Sequence, residues 1–219
     1  MRAASLLGEG PFFDPNVLPL THELRNNFPR VQAEILQILK RQSELPSFQD
    51  ISPEQTHLTT DDKWKVFFFK GLWHVFRRNA LEAPITASIL NNRRMVVSAF
   101  VSVLGPRKML NPHCGPSATV LRLHLGIDVP EGNLCTLVVD GVEYHWKNGE
   151  FVFFDDTYEH MAINESDKPR AVLFMDIVRP MPFLWSLVAQ AMIYAARLTS
   201  FFKEPLRRHG DWERRFYTD

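Results

Sequence analysis

Two histidines, His113 and His160, lie on separate segments, each beside a turn at the edge of an expected strand. Imidazoles converging from two such edges make half of a site for divalent iron, which takes nitrogen and carboxylate ligands and keeps positions open for co-substrate and dioxygen. The common oxygenase arrangement adds Asp or Glu two residues after the first histidine. Here that position is Gly115. Asp155 and Asp156, shortly before His160, are the nearest carboxylates, as ligands or acting through a water or by orienting a ligand. Arg170 opens the next expected strand, and its guanidinium suits two-pronged binding of a carboxylate such as the end group of 2-oxoglutarate. Arg122 and His124 are alternate residues of one strand, so they share a face suited to a second carboxylate or to orienting a substrate. Each has a plainer reading as well: a packed histidine, a turn cap, a structural ion pair. His22, His57, His74, His145 and His209 are expected to be non-functional.

These side chains need a scaffold that brings distant segments to one cavity. Thr119 to Ile127 alternates, with Val120, Arg122 and His124 on one face and Leu121, Leu123 and Leu125 on the other. That pattern buries the leucines and turns the polar set into a cavity. Further strands are expected at Met95–Leu104, Cys135–Val139, Glu143–Trp146, Glu150–Phe154 and Arg170–Val178. Asp140-Gly141 is the strongest hairpin signal, and Asn148-Gly149 marks another tight turn. Short antiparallel strands around an inward polar face predict a mainly β, jelly-roll or cupin-like barrel, a double-stranded β-helix, flanked by N- and C-terminal helices.

Upstream, residues 1–20 read as an extended arm, and residues 21–42 as a helix with Thr21 as N-cap, broken or restarted at Pro29. Residues 43–62 read as a polar loop. The aromatic run from Trp64 to Asn79 reads as a strand leading into a short element, and Pro84–Asn91 as a short helix. Downstream, Pro182–Phe202 reads as a helix followed by a basic, aromatic end. The chain is expected to form a single domain over 1–219: an arm and helical buttress over 1–92, the barrel over 93–180 and a helical tail over 181–219.

The 219 residues carry 25 basic and 25 acidic side chains, a balance that argues against a nucleic-acid binder relying on phosphate neutralisation. Two cysteines, Cys114 and Cys135, suggest reduced thiols in a cytoplasmic protein. The start lacks the long apolar core of a signal peptide. The longest apolar run, Phe183 to Ala196, is too short to span a bilayer comfortably. Together with the basic end it suits either packing on the barrel or a peripheral membrane contact through 182–215.

The ordered set HCGP (His113–Pro116), RLHLG (Arg122–Gly126), Trp146 with Gly149-Glu150, FDD (Phe154–Asp156), His160, Arg170 and DIVRP (Asp176–Pro180) resembles the aspartyl/asparaginyl β-hydroxylase family. The likeness covers roughly Met95 to Pro180 and is weaker over Trp64 to Pro84. It implies an iron(II)- and 2-oxoglutarate-dependent dioxygenase that uses O2 to hydroxylate an unactivated C–H bond. By that resemblance His113 and His160 are the iron ligands. Arg170 grips the distal carboxylate of 2-oxoglutarate, Ser102 and His124 help bind it, and Arg122 faces substrate or co-substrate. Peptide hydroxylases of the family also carry Gly at the position of Gly115, which implies a two-histidine site with water in the carboxylate's place. The first expectation is hydroxylation of peptidyl or free Asp/Asn. Peptide-acting members usually have an arginine where this chain has Val120. The block from Asp156 to Met181, followed by Trp185, looks more like lipid A acyl-chain hydroxylases, so lipid acyl hydroxylation is the rival expectation. A cupin-like binding domain without catalysis is the third. Oligomeric state is left open.

Overall fold

The computed structural model describes residues 1–218. In chain order, β1 (Phe12–Phe13), α1 (Pro19–Asn26), α2 (Phe28–Leu39) and α3 (Phe48–Ile51) precede β2 (Trp64–Gly71), β3 (His74–Val75), α4 (Arg77–Glu82) and α5 (Pro84–Asn91). Eight strands follow: β4 (Val96–Leu104), β5 (Lys108–His113), β6 (Val120–Asp128), β7 (Cys135–Val139), β8 (Val142–His145), β9 (Phe151–Phe154), β10 (His160–Asn164) and β11 (Arg170–Val178). Two helices, α6 (Phe183–Ala196) and α7 (Ser200–Phe216), close the chain.

The eight strands divide between two antiparallel sheets, β9-β6-β11-β4 within the larger and β5-β10-β7-β8 as the smaller. From β4 to β11 the chain passes from one sheet to the other at each connection except the β7–β8 hairpin. That alternation is a double-stranded β-helix, as expected. Asp140 and Gly141, both at positive φ (51° and 75°), form the β7–β8 turn, the conformation a two-residue hairpin turn requires.

Period-two alternation sets which side chains reach the cavity. Leu121, Leu123 and Leu125 of β6 and Leu173, Met175 and Ile177 of β11 pack outward against Leu20, Leu24, Val31 and Ile35 of α1 and α2. The opposite face of the large sheet sends Trp64, Val152, Phe154 and Val172 toward Leu110, Leu137, Val139 and Ala162 of the small one. A one-residue slip in β6 would exchange these faces, so the leucines fix where Arg122 and His124 point.

Four expectations need correction. The first 20 residues are not a plain arm: β1 pairs with β9, and α1 begins at Pro19. Thr21 is therefore inside the helix, where its hydroxyl donates to the Leu18 carbonyl at 2.8 Å; Leu18 holds the cap position. The chain breaks at Asn27, and Pro29 sits in the first turn of α2, where its missing N–H costs nothing. Residues 43–62 contain α3 and two short 3-10 turns, and β1, β2 and β3 extend the large sheet to seven strands. The tail is two helices, not one. Of these α7 packs on the core through Phe202, His209, Trp212 and Phe216, whereas α6 buries only Ala189 and Ile193.

Candidate active site

β5 and β10 are neighbours, and their pairing sets His113 opposite His160 with ring centroids 4.2 Å apart. Nδ1 of His113 lies 2.6 Å from the Asn111 carbonyl, and Nδ1 of His160 lies 3.0 Å from that of Tyr158. A carbonyl only accepts, so each ring carries its proton on Nδ1 and leaves the Nε2 lone pair for a ligand. Burial pushes the His160 imidazole down to about 3, with His113 and Arg122 adding to it, and burial also lowers His113. Both rings are neutral near pH 7, the form that binds a divalent metal. Among the described residues no third His, Cys, Asp or Glu makes a ready three-ligand cluster with them.

The two aspartates before His160 have separate tasks. Asp155 accepts from the Thr157 N–H and hydroxyl and from Arg179 Nη2 at 2.7 Å; Arg179 also donates to the Ala118 carbonyl. It ties the turn before β10 to the loop after β5 through Arg179. Asp156 is the one that turns inward. Its Oδ2 lies 2.8 Å from Arg122 Nη2, and Arg122 Nε lies 3.1 Å from Asp176 Oδ1. Arg122, also seated over Phe174 at 4.5 Å, is thus matched by two carboxylates of its own chain.

Asp156 also explains Gly115. A Cβ at that glycine would lie 1.8 Å from Asp156 Oδ2, so the carboxylate of Asp156 fills the space where a side chain at 115 would stand. Gly115→Ala must displace a buried ion-paired carboxylate. It is expected to lower the unfolding free energy by roughly 1–3 kcal/mol, the usual cost of overpacking. Denaturant titration measures this, and an unchanged midpoint would show that Asp156 is free to move.

Deeper in the barrel, register builds a second constellation. Along β11, Arg170, Val172, Phe174 and Asp176 face inward, and Val172 stands opposite Ser102 of β4 while Phe174 stands opposite His124 of β6. Arg170 is buried over the Trp146 ring at 4.3 Å, and its Nε and Nη1 have no hydrogen-bond partner. Both nitrogens of His124 and Nε1 of Trp146 are equally unpaired and buried. Burial, with Arg170 next, holds His124 well below its ordinary value and hence neutral. Ser102 accepts from Trp64 Nε1 at 3.0 Å. Buried donors are almost always satisfied, so this concentration of unpaired N–H groups around one cation fits a carboxylate guest. Sequence reasoning named Arg170, His124 and Ser102 and gave no role to Trp146, although the residue stands in the motif.

A cavity of about 400 Å³ opens beside His113, Gly115 and Arg122. Beyond them its walls are Phe48, Phe68, Phe76, Phe100 and Phe174, with Phe100 and Phe174 stacked at 4.2 Å. Ile51 and Leu58 close one side, and Phe202, Pro205 and Leu206 of α7 close another. Arg122 is the single Lys or Arg among the described lining residues. This wall went unforeseen because its members come from separate stretches, one of which, 43–62, reads as a polar loop.

The chain is similar to known proteins over most of its length. Residues 25–180 match the family described as aspartyl/asparaginyl beta-hydroxylase. The chain is 40% identical over 214 residues to an ornithine lipid ester-linked acyl 2-hydroxylase of Rhizobium tropici, covering 97% of this chain and 76% of that one. It is 30% identical over 169 residues to aspartate beta-hydroxylase domain-containing protein 2 of Mus musculus (72% and 47% covered). With the aspartyl/asparaginyl beta-hydroxylase of Homo sapiens it shares 26% over 171 residues, 74% of this chain and 21% of that one. The chain therefore spans less than half the length of these mammalian relatives.

Proposed function

The chain belongs to the aspartyl/asparaginyl β-hydroxylase family, and from that premise we propose that it is an iron(II)- and 2-oxoglutarate-dependent dioxygenase hydroxylating the acyl chain of a lipid. The observation that carries the substrate class is the phenylalanine-walled cavity reaching His113. An Asp side chain as substrate needs a free cation to receive it. The cavity's Arg122 is already matched by Asp156 and Asp176, and Val120 supplies none. A hydrocarbon chain asks only for apolar walls. The Rhizobium relative carries an acyl hydroxylase's name, and its alignment is long enough to include both tail helices. The order of the first two expectations is thereby reversed.

His113 and His160 would hold the metal through Nε2, each ring fixed by its carbonyl-bound Nδ1. Bound iron with 2-oxoglutarate and dioxygen supplies the oxidising power, one oxygen atom entering a C–H bond while the co-substrate leaves as succinate and carbon dioxide. Arg170 would bind the distal carboxylate, with the Trp146 N–H, His124 and Ser102 completing the donor set. Asp156, ion-paired with Arg122, would keep a buried carboxylate beside Gly115, where it could orient a water. The aromatic walls exclude bulk water and seat the chain.

Product mass spectrometry tests the reading. The protein is incubated with iron(II), 2-oxoglutarate and oxygen, and offered acyl lipids in one pool and Asp/Asn-containing peptides and free amino acids in another. A one-oxygen gain in the lipids alone is expected. A gain confined to the peptide and amino-acid pool overturns the acyl assignment.

A further inference from the structure

The feature left without a task is α6. No Asp, Glu, Lys or Arg occurs from Met181 to Ala196, and the helix is apolar all round. Phe183 and Leu184 are about three-quarters exposed (75% and 73%), and Trp185, Leu187, Val188 and Met192 are about half exposed. Its polar groups Ser186 and Gln190 bond to each other at 3.2 Å. Singly exposed apolar residues are ordinary, but a contiguous helix of them marks an interaction surface. Among the described residues no helix is long and apolar enough to cross a membrane. Fourteen residues of helix reach only about 21 Å, short of the roughly 30 Å of hydrocarbon in a bilayer.

We propose that α6 lies along the interface of a lipid bilayer and holds the mouth of the cavity against it. Three observations choose a bilayer as occupant. Trp185 and Tyr194, near the two ends of α6, are the aromatic types that settle at headgroup level. Just past the helix, Arg197 and Lys203 have no acidic partner among the described residues, unlike Arg207, Arg208 and Arg214 of α7, and they suit anionic headgroups. The apolar surface is also continuous with the cavity. Tyr194 packs on Trp73 at 4.9 Å, next to the lining residue Leu72, and half-exposed Phe201 leads to Phe202 at the cavity wall. A chain drawn from a bilayer at that point would enter the cavity without crossing water. This rests on the acyl-lipid reading for what the cavity takes up; the docking itself does not.

Co-sedimentation of the full chain with phosphatidylcholine vesicles, with and without phosphatidylglycerol, tests the surface directly. Leu184→Glu/Leu187→Glu should lower the vesicle partition coefficient by about tenfold or more, the scale of placing charge in apolar surroundings. Arg197→Gln/Lys203→Gln should remove only the extra binding that phosphatidylglycerol provides. Iron-dependent succinate formation without lipid should be equal in wild type and the α6 variant, which establishes that the variant is folded. Equal partition of wild type and the α6 variant overturns the docking. So does a wild-type dimer in light scattering that the same substitutions dissociate while vesicles go unbound, because α6 is then a contact between copies. Vesicle binding without any succinate formation counts against the dioxygenase reading and leaves the docking standing, so the two failures are separable.

Discussion

Arg170→Met is expected to give a protein that resists unfolding better than wild type and, on the proposed reading, no longer binds 2-oxoglutarate. Arg170 is 3% exposed, two of its guanidinium nitrogens lack partners, and no carboxylate of the described residues pairs with it. Burial draws it down to about 10, so it remains a cation at neutral pH. A buried charge without compensation is costly, and since replacing even a buried ion pair with apolar residues can stabilise by about 1–4 kcal/mol, removing this unpaired charge should stabilise the fold. Methionine keeps the contact with Trp146 and discards the charge. The same change removes a charge-assisted, two-pronged hold worth about 2–4 kcal/mol, so 2-oxoglutarate affinity should fall about 30- to 1,000-fold. Denaturant unfolding with and without 2-oxoglutarate reads both effects: wild type gains stability from the ligand and the variant does not. A variant that is less stable and binds 2-oxoglutarate normally would show that Arg170 serves the fold and not the co-substrate.

His160→Ala should abolish retention of iron(II) and reduce succinate formation to background, a loss of at least about a thousandfold if the histidines are the only protein ligands. With only two imidazoles converging, neither can be spared. His113→Ala should match it, and Arg170→Met should not, since it leaves the pair untouched. Metal content after dialysis against a weak chelator separates the cases. Native iron retention by His160→Ala would place the metal elsewhere.

Six of the eight strands from β4 to β11 were legible because their signals are local; β5 and β10, which bear the histidines, were not expected as strands. Alternation in β6 assigns Leu121, Leu123 and Leu125 to one face and Arg122 and His124 to the other, and Asp140-Gly141 fixes a turn whatever surrounds it. What escaped depends on distant partners. Phe12-Phe13 has no period to read and becomes a strand only because β9 offers an edge. Thr21 looks like a cap until Leu18 and Pro19 start the helix earlier. Asp155 and Asp156 are adjacent and identical in type, and only Arg179, just past β11, and Arg122, within β6, tell them apart. Arg122 was read both as a substrate contact and as a structural ion pair, and its second partner, Asp176, comes from another strand. The histidine pair and Arg170 were readable through motif resemblance; the cavity wall was not, since aromatic residues that line a space and those that fill a core look alike in sequence.

The far wall of that cavity is built from parts the barrel does not own. Ile51 and Leu58 lie before β2, and Phe202, Pro205 and Leu206 lie beyond residue 180, where the family match ends. Reaction and substrate range are therefore separate heritable traits within one chain. Drift in these two outer segments can lengthen, shorten or bend the space without touching His113, His160 or Arg170. A lineage carrying this barrel can change diet while keeping its chemistry.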